Sequence, residues 1–341
     1  MILKAMKGVL VGAVLALAAA TGVAAQAFPV TVAHEFGETV VEQKPQRIVA
    51  VGYRDSDFLY ALGIAPVGVR DWWGGHPYAA WPWAEPARKA AGATPEVFSG
   101  DELNYEWIVA LDPDLILAVY MGAEQADYDR LSAIAPTIAQ PAGYPLWGVP
   151  WPEEARIIDL ATSGNTDKAD AMIADIGARM EAARAQYPEL QGKTGTIVYY
   201  NVDNVFGAWG STDVASRFLI DLGLVFPPEL DAIAAPDSSI TISPELLRLI
   251  DQDVMVWPID NPADGVQAAV EAMPLYQNLG LAREGRSVWL DDGNGVLSAA
   301  LSYQSPLSIA YLIDILPPLL SAAVDGDPAT PVPAVTLPPV E

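Results

Sequence analysis

The spacing of apolar residues changes period several times along this chain, and each change marks an element. Val30, Val32 and Val40 sit in short alternating runs split by Gly37, which predicts an edge hairpin over 28–46. The alternation turns His34 outward, so this residue is expected to be exposed. Next, Ile48-Val49-Ala50-Val51 is a β-branched run of the kind found in buried strands. Asp55-Ser56-Asp57 caps a helix that stops at Gly63, and Pro66-Val67-Gly68-Val69 is the next strand. Strand 115–119, helix 126–134 and strand 137–139 keep the alternation going, the signature of a parallel sheet.

From Pro152 helical spacing takes over. One helix runs to about Thr162 and ends at Gly164. A second, over 166–187, carries Met172, Ile173, Ile176, Met180, Ala183 and Tyr187 at three- and four-residue steps. At 1.5 Å per residue it measures ~33 Å, long enough to cross between lobes. Strands at 196–200, 254–257 and 287–290, a helix capped by Asp213 and an amphipathic helix over 305–322 build a second α/β block.

The two blocks share a phrase. Residues 104–117 align without a gap on 243–256, 139 positions further on. In both copies a glutamate (Glu106, Glu245) opens a short amphipathic helix and an aspartate (Asp112, Asp251) closes it. A second aspartate (Asp114, Asp253) leads into an apolar strand, and upstream Leu62-Gly63-Ile64 matches Leu222-Gly223-Leu224. That separation is too great for a solenoid repeat. It predicts two Rossmann-like α/β lobes joined by one long backbone α-helix, with a ligand cleft between them. The expected divisions are 28–151 for the first lobe and 152–190 for a helical linker containing the bridging helix. The second lobe covers 191–324, and the proline-rich segment 325–341 is expected to be disordered. A stiff rod between lobes implies that closure on a ligand is small.

Composition narrows the setting. A hydrophobic content of 52% can fill two cores. Lys4 and Lys7 precede an apolar run over 9–20, and Ala25-Gln26-Ala27 offers a cleavage site, so 1–27 reads as a signal peptide. The chain has no cysteine, hence no disulfide and no lipid attachment point, which suggests a free periplasmic protein. With 43 acidic residues against 18 basic ones, net −25, nucleic acid and anionic membranes are poor partners.

The lobes differ in one respect. The first holds 21 extra residues, among them the segment 71–83 with four of the ten tryptophans. A second aromatic loop spans 143–151. In open α/β sheets the loops after the strands' carboxyl ends line the ligand crevice. Tyr53, Arg54, Trp72, Trp73, Tyr120 and Trp147 occupy such positions, as do Asn201, Trp209 and Trp257 in the other lobe. Flat aromatic surfaces with few charges suit a bulky ligand with several rings or chelate faces.

Catalytic and metal motifs find little support. Only His34 and His76 are present, so histidine-rich zinc sites and Ser/His/Asp triads lack their parts. Gly192-Lys193-Thr194 lacks the first glycine of a phosphate loop, and Asp291 to Gly295 lacks the closing glutamate of a calcium loop.

A series of segments resembles periplasmic binding proteins of iron–siderophore ABC importers. They include Lys44-Pro45-Gln46-Arg47-Ile48-Val49, Leu62-Gly63-Ile64-Ala65-Pro66-Val67-Gly68-Val69 and Ala110-Leu111-Asp112-Pro113-Asp114-Leu115-Ile116. Leu131 to Thr137, Pro274-Leu275-Tyr276, Glu284 to Val288 and Leu301 to Ser308 continue the series, in order, over nearly the whole chain after the signal. The resemblance implies two α/β lobes bridged by one helix and a monomer that captures a small-molecule iron chelate, an Fe(III)–siderophore complex. It further implies delivery to an inner-membrane ABC permease, with no cofactor and no bare metal site. Docking would use one carboxylate per lobe: Glu124, Asp127 or Asp129 in the first and Asp213 in the second. Tyr303 joins the expected ligand-binding set of Tyr53, Arg54, Trp72, Trp73, Tyr120, Trp147 and Trp209. Arg54 and Arg70 are the only basic residues at first-lobe cleft positions, so a weakly charged ferric chelate such as a hydroxamate is expected over a tricatecholate. The same fold binding haem or cobalamin is the alternative, with His76 or Tyr78 as an axial ligand. A periplasmic hydrolase and a sensor's binding module are the remaining rivals.

Overall fold

The computed structural model describes residues 27–201, 205–335 and 337, and it places the two copies of the repeated phrase at equivalent points of two sheets. A hairpin of β1 (Val30–His34) and β2 (Gly37–Val41) precedes the first sheet. That sheet contains β3 (Ile48–Ala50), β4 (Gly68–Asp71), β5 (Glu96–Ser99), β6 (Leu115–Ala118) and β7 (Thr137–Ala139). Its order is β5-β4-β3-β6-β7, parallel throughout. The second sheet contains β8 (Gly195–Asn201), β9 (Val205–Trp209), β10 (Ser239–Ile242), β11 (Val254–Pro258) and β12 (Ser287–Leu290), ordered β10-β9-β8-β11-β12.

The repeat encodes β6 and β11, each beside its sheet's central strand. Asp114 accepts from the backbone N–H of Gln46 at 2.7 Å and of Arg47 at 2.8 Å. Asp253 accepts from Thr194 N–H at 2.8 Å. In both lobes, therefore, the aspartate ahead of the repeat strand fastens the start of the central one, satisfying donors that the sheet leaves unpaired. The copies differ in the preceding helix. Tyr105–Ala110 is α-helical and capped by Asn104, whereas Pro244–Ile250 winds as a tighter 3₁₀ helix. The second sheet also departs from a purely parallel reading: β9 runs antiparallel to both β8 and β10.

The long helix, Asp167–Gln186, spans about 30 Å at 1.5 Å per residue. Ala169 at its start is buried in the first-lobe core with Ile48, Leu117 and Ile158. Ile176, Met180 and Ala183 are buried in the core that contains Phe218, Leu222 and Val256 of the second lobe. One face thus belongs to two cores in succession.

The rod is not the only junction. The helix Pro306–Ala323, capped by Ser305, shares that second core with Tyr60, Trp81 and Trp83 of the first lobe. Beside it runs a buried polar seam. Arg54, with no exposed surface, donates from Nε and Nη2 to the Glu154 carboxylate at 3.0 and 2.8 Å. Its Nη1 reaches Tyr303 O at 2.5 Å. Asp57 accepts from Trp83 Nε1 at 2.8 Å and from Ser305 Oγ at 2.6 Å. Asp55 accepts from the N–H groups of Val119 and Tyr120 at 2.9 and 3.0 Å. Arg54 therefore ties the first lobe to the linker helix Trp151–Ser163 and to the second lobe at once. Gly52 belongs to this seam, since a Cβ there would collide with the Asp55 carboxylate.

One expectation needs correction. His34 is 3% exposed, not outward: it shares the inner face of the hairpin with Val32, and its Nε2 pairs with Thr39 Oγ1 at 2.9 Å. The hairpin lies against the first lobe, where Thr39 donates to Thr137 O, so both faces of the strand cannot be wet. In the proline-rich segment Val332, Val335 and Leu337 lie partly buried against the inter-lobe core. Its scattered aliphatic residues are enough to find that apolar surface. The expected signal peptide lies outside the described residues except for Ala27.

Removing one partner of a buried ion pair leaves an uncompensated charge, at a cost of about 3–5 kcal/mol. Glu154→Ala should lower stability by that amount in urea unfolding, and the double variant Arg54→Met/Glu154→Leu should recover most of it. A loss under about 1 kcal/mol for the single variant would contradict the seam's role. Burial also pushes Asp55 and Asp57 up to about 6, against hydrogen bonds that pull them down. The folded chain then retains protons that the unfolded chain has released, so stability is greatest below about pH 4 in this respect and falls as pH rises through 6. Melting should occur at lower temperature at pH 7 than at pH 4.5, with a smaller difference in Asp57→Asn; a rise with pH would refute this.

Candidate functional site

Backbone pairing continues past the ends of β3 and β6: Val51 N–H bonds Leu117 O and Tyr53 N–H bonds Tyr120 O, both at 2.8 Å. This carries Tyr53 and Tyr120 side by side to the carboxyl edge of the parallel sheet, where an α/β crevice forms. The turn after β4 adds the next rings. Asp71 ends β4, and the turn that follows it presents Trp72 and Trp73. Trp72 stacks on Tyr53 with centroids 5.3 Å apart and meets Trp73 edge-on at 4.2 Å. Trp147 closes the group, 4.9 Å from Tyr120 and 6.1 Å from Tyr53. It sits at φ 62°, and Gly122 beneath it, φ 66°, has no room for a Cβ, which would stand 2.7 Å from the indole.

These rings form one wall of a cavity of about 930 Å³, at the upper end of the usual size for small-molecule sites. The facing wall comes from the second lobe: Tyr199 of β8, Trp209 of β9, Ile240 of β10, Asp213 and Asp260. Sequence reasoning missed β9, β10 and Tyr199. The signal was there in the alternation of Ser239-Ile240-Thr241-Ile242, but an antiparallel ribbon has no counterpart in the first lobe to align it with.

Of the expected ligand-binding residues, Tyr53, Trp72, Trp73, Tyr120, Trp147 and Trp209 line the cavity. Arg54 and Tyr303 do not. Arg54 is consumed by the seam, its guanidinium 3.8 Å from the centroid of the Tyr120 ring. Burial works to discharge it, and Glu154, Tyr120 and Asp55 more than reverse that. Tyr303 is a buried support, 5.2 Å from Trp72 and 5.3 Å from Trp73. Arg70 is likewise withdrawn, donating to Gly100 O and Asp101 O. Trp257, expected near the cleft, is buried in the second lobe against Trp289 at 4.8 Å. Asn201 ends β8 next to residues outside the described set.

The carboxylates divide in the same way. Glu124 and Asp127 form a capping box on the helix Gln125–Ser132, where Asp127 also accepts from Tyr105 Oη at 2.9 Å. Glu124 and Asp129 are exposed. Asp213, expected as a helix cap and as the second-lobe docking carboxylate, does cap Val214–Leu222 and also lines the cavity; burial raises it above the ordinary carboxylate range. Neither His76 nor Tyr78 is among the lining residues. His76 packs on Trp81 at 4.3 Å and Tyr78 lies under Arg88 at 4.4 Å, so the cavity presents no axial ligand from the pair expected for haem.

With this geometry in view, comparison with known proteins is informative. The sequence pattern of a family described as "Periplasmic binding protein" matches residues 48–292. The ferric-anguibactin-binding protein FatB of Vibrio anguillarum is 26% identical over 293 residues, covering 80% of this chain and 84% of its own. The iron uptake ABC transporter substrate-binding protein PiaA of Streptococcus pneumoniae TIGR4 is 30% identical, with a TM-score of 0.73 over 87% of this chain and 100% of that one. The structure of PiaA in complex with ferrichrome gives 29% and 0.75 over 87% and 99%. A periplasmic solute-binding protein of Mycobacterium smegmatis gives 31% and 0.75 over 86% and 98%. Twin sheets, the helix that bridges them, the ring-lined space they enclose and a family match across most of its length lead to one conclusion: this chain belongs to the periplasmic binding protein family.

Proposed function

We propose that this protein captures a ferric siderophore outside the cytoplasm and hands it to an ABC importer. The observation that carries the reading is the aromatic cavity between the lobes, whose size and flat walls suit a bulky chelate. The relatives named for ferric anguibactin and ferrichrome support it. The mechanism is capture without catalysis: rings of Trp72, Trp73, Trp147 and Trp209 pack the chelate, and the phenols of Tyr53, Tyr120 and Tyr199 orient it. The N-terminal pattern and the absence of cysteine support export through a cleaved signal without a lipid anchor. The exposed Glu124 and Asp129 are the first-lobe carboxylates best placed to meet permease arginines. With Arg54 and Arg70 both engaged inside the protein, a weakly charged hydroxamate complex fits better than a tricatecholate, whose several negative charges would meet no lysine or arginine among the described residues lining the cavity.

Titration with ferrichrome should quench tryptophan fluorescence saturably at one site per chain. Trp72→Ala should weaken binding roughly tenfold, about 1.4 kcal/mol, since an aromatic contact is lost. Trp257→Phe, remote from the cavity, should leave affinity unchanged. Haemin should give no Soret shift at equimolar protein. Tight binding of a tricatecholate complex together with indifference to Trp72→Ala would refute the assignment.

A further inference from the structure

Among the described residues lining the cavity there is no lysine or arginine, and the two charged side chains are both carboxylates, Asp213 and Asp260. Both stand on the second-lobe wall with Tyr199, across the cavity from the rings of Trp72 and Trp147. Of the nearby cations, Arg54 and Arg217 both pull on the Asp213 carboxylate, and neither lines the cavity. Arg54 is paired with Glu154, and Arg217 donates to Gly148 O and Thr212 O. Asp260 accepts from Ser298 Oγ at 2.5 Å and Asp213 from Ala215 N–H at 2.8 Å, contacts that leave each carboxylate with further acceptor capacity. On the first-lobe wall the rings of Tyr53 and Tyr120 already lie under Arg70 and Arg54, and the faces of Trp72 and Trp147 reinforce the same sign, because aromatic faces carry negative potential and attract cations. So does the whole chain, at net −25.

We propose that the site is selective for a positively charged chelate: a ferric trihydroxamate that carries a protonated amine, with the ammonium directed to Asp213 and Asp260 and the chelate body held between the tryptophans. This rests on the capture reading above and adds the sign of the ligand's charge to it. A hydroxamate complex of Fe(III) with three ligand groups is neutral at its centre, so one pendant amine sets the net charge. The carboxylates then read that amine, while the rings read the bulk.

The test compares ferrioxamine B, a linear ferric trihydroxamate with a free amine, with its N-acetylated form, which removes that charge by turning the amine into a small amide; ferrichrome serves as a neutral reference. Binding is measured by fluorescence titration and by stopped flow at low and high salt. The wild-type protein should bind the amine form roughly tenfold more tightly than the acetylated form, and its association rate should fall with added salt. Asp213→Asn, which keeps a good helix cap, and Asp260→Asn should each lower the ratio, and the double variant should bring it near one. Circular dichroism and melting establish that each variant folds. Equal affinity for the two forms in the wild type, or a preference that survives in the double variant, overturns the inference while leaving the capture reading intact. If none of the three chelates binds, the capture reading falls, and this inference with it.

Discussion

Arg54 carries a full charge in a place without water, and the shape of the molecule follows from how that charge is satisfied. A guanidinium taken out of solvent is costly unless its donors are met in good geometry. Here they are met by a carboxylate on the linker helix and by a backbone carbonyl of the second lobe. Moving either partner would leave the charge stranded, so the two lobes and the segment between them must keep their relation. Asp57, bonded to Trp83 and Ser305, repeats the device a turn further along. The long helix supplies length and apolar contact, while the seam supplies direction.

The same arrangement explains the character of the cleft. By drawing Arg54 inward beneath Tyr120, the seam removes a cation from the crevice and leaves an aromatic surface in its place. Tyr303 and the buried Trp81 and Trp83 back Trp72 and Trp73 like a second course of bricks, with ring contacts of 5.1 to 6.1 Å running from the cavity into the inter-lobe core. The cavity surface is therefore continuous with the structural core, and its rings are held in place by that core.

The sequence was legible wherever local periodicity decides the outcome. The matched phrase located β6 and β11 correctly because Asp114 and Asp253 do the same local work in both lobes. Trp72, Trp73 and Trp147 were legible because glycine- and proline-broken loops after strands point to one edge, whereas Trp209, expected in the cleft, ends the strand β9 that the pattern did not show. Arg54 was misplaced because its partner lies 100 residues away in sequence, and no spacing rule couples a loop to a linker helix. His34 was misplaced because alternation gives two faces but not which of them is covered. The β9–β10 ribbon escaped for want of a copy in the first lobe, and with it went half of the second-lobe wall. What depended on tertiary partners was hidden, and that includes the distinction between a residue lining the cavity and one supporting it.

The central claim is that the cleft is built open-handed and stiff, with its walls set by the buried seam and not by the ligand. Small-angle X-ray scattering of the protein alone and saturated with a ferric trihydroxamate tests this directly. The account predicts nearly superimposable curves, with the radius of gyration changing by no more than about 1 Å, as for partners that meet preorganised. A contraction of several ångströms on loading would show instead that the lobes swing freely about the helix, and that Arg54 does not hold them.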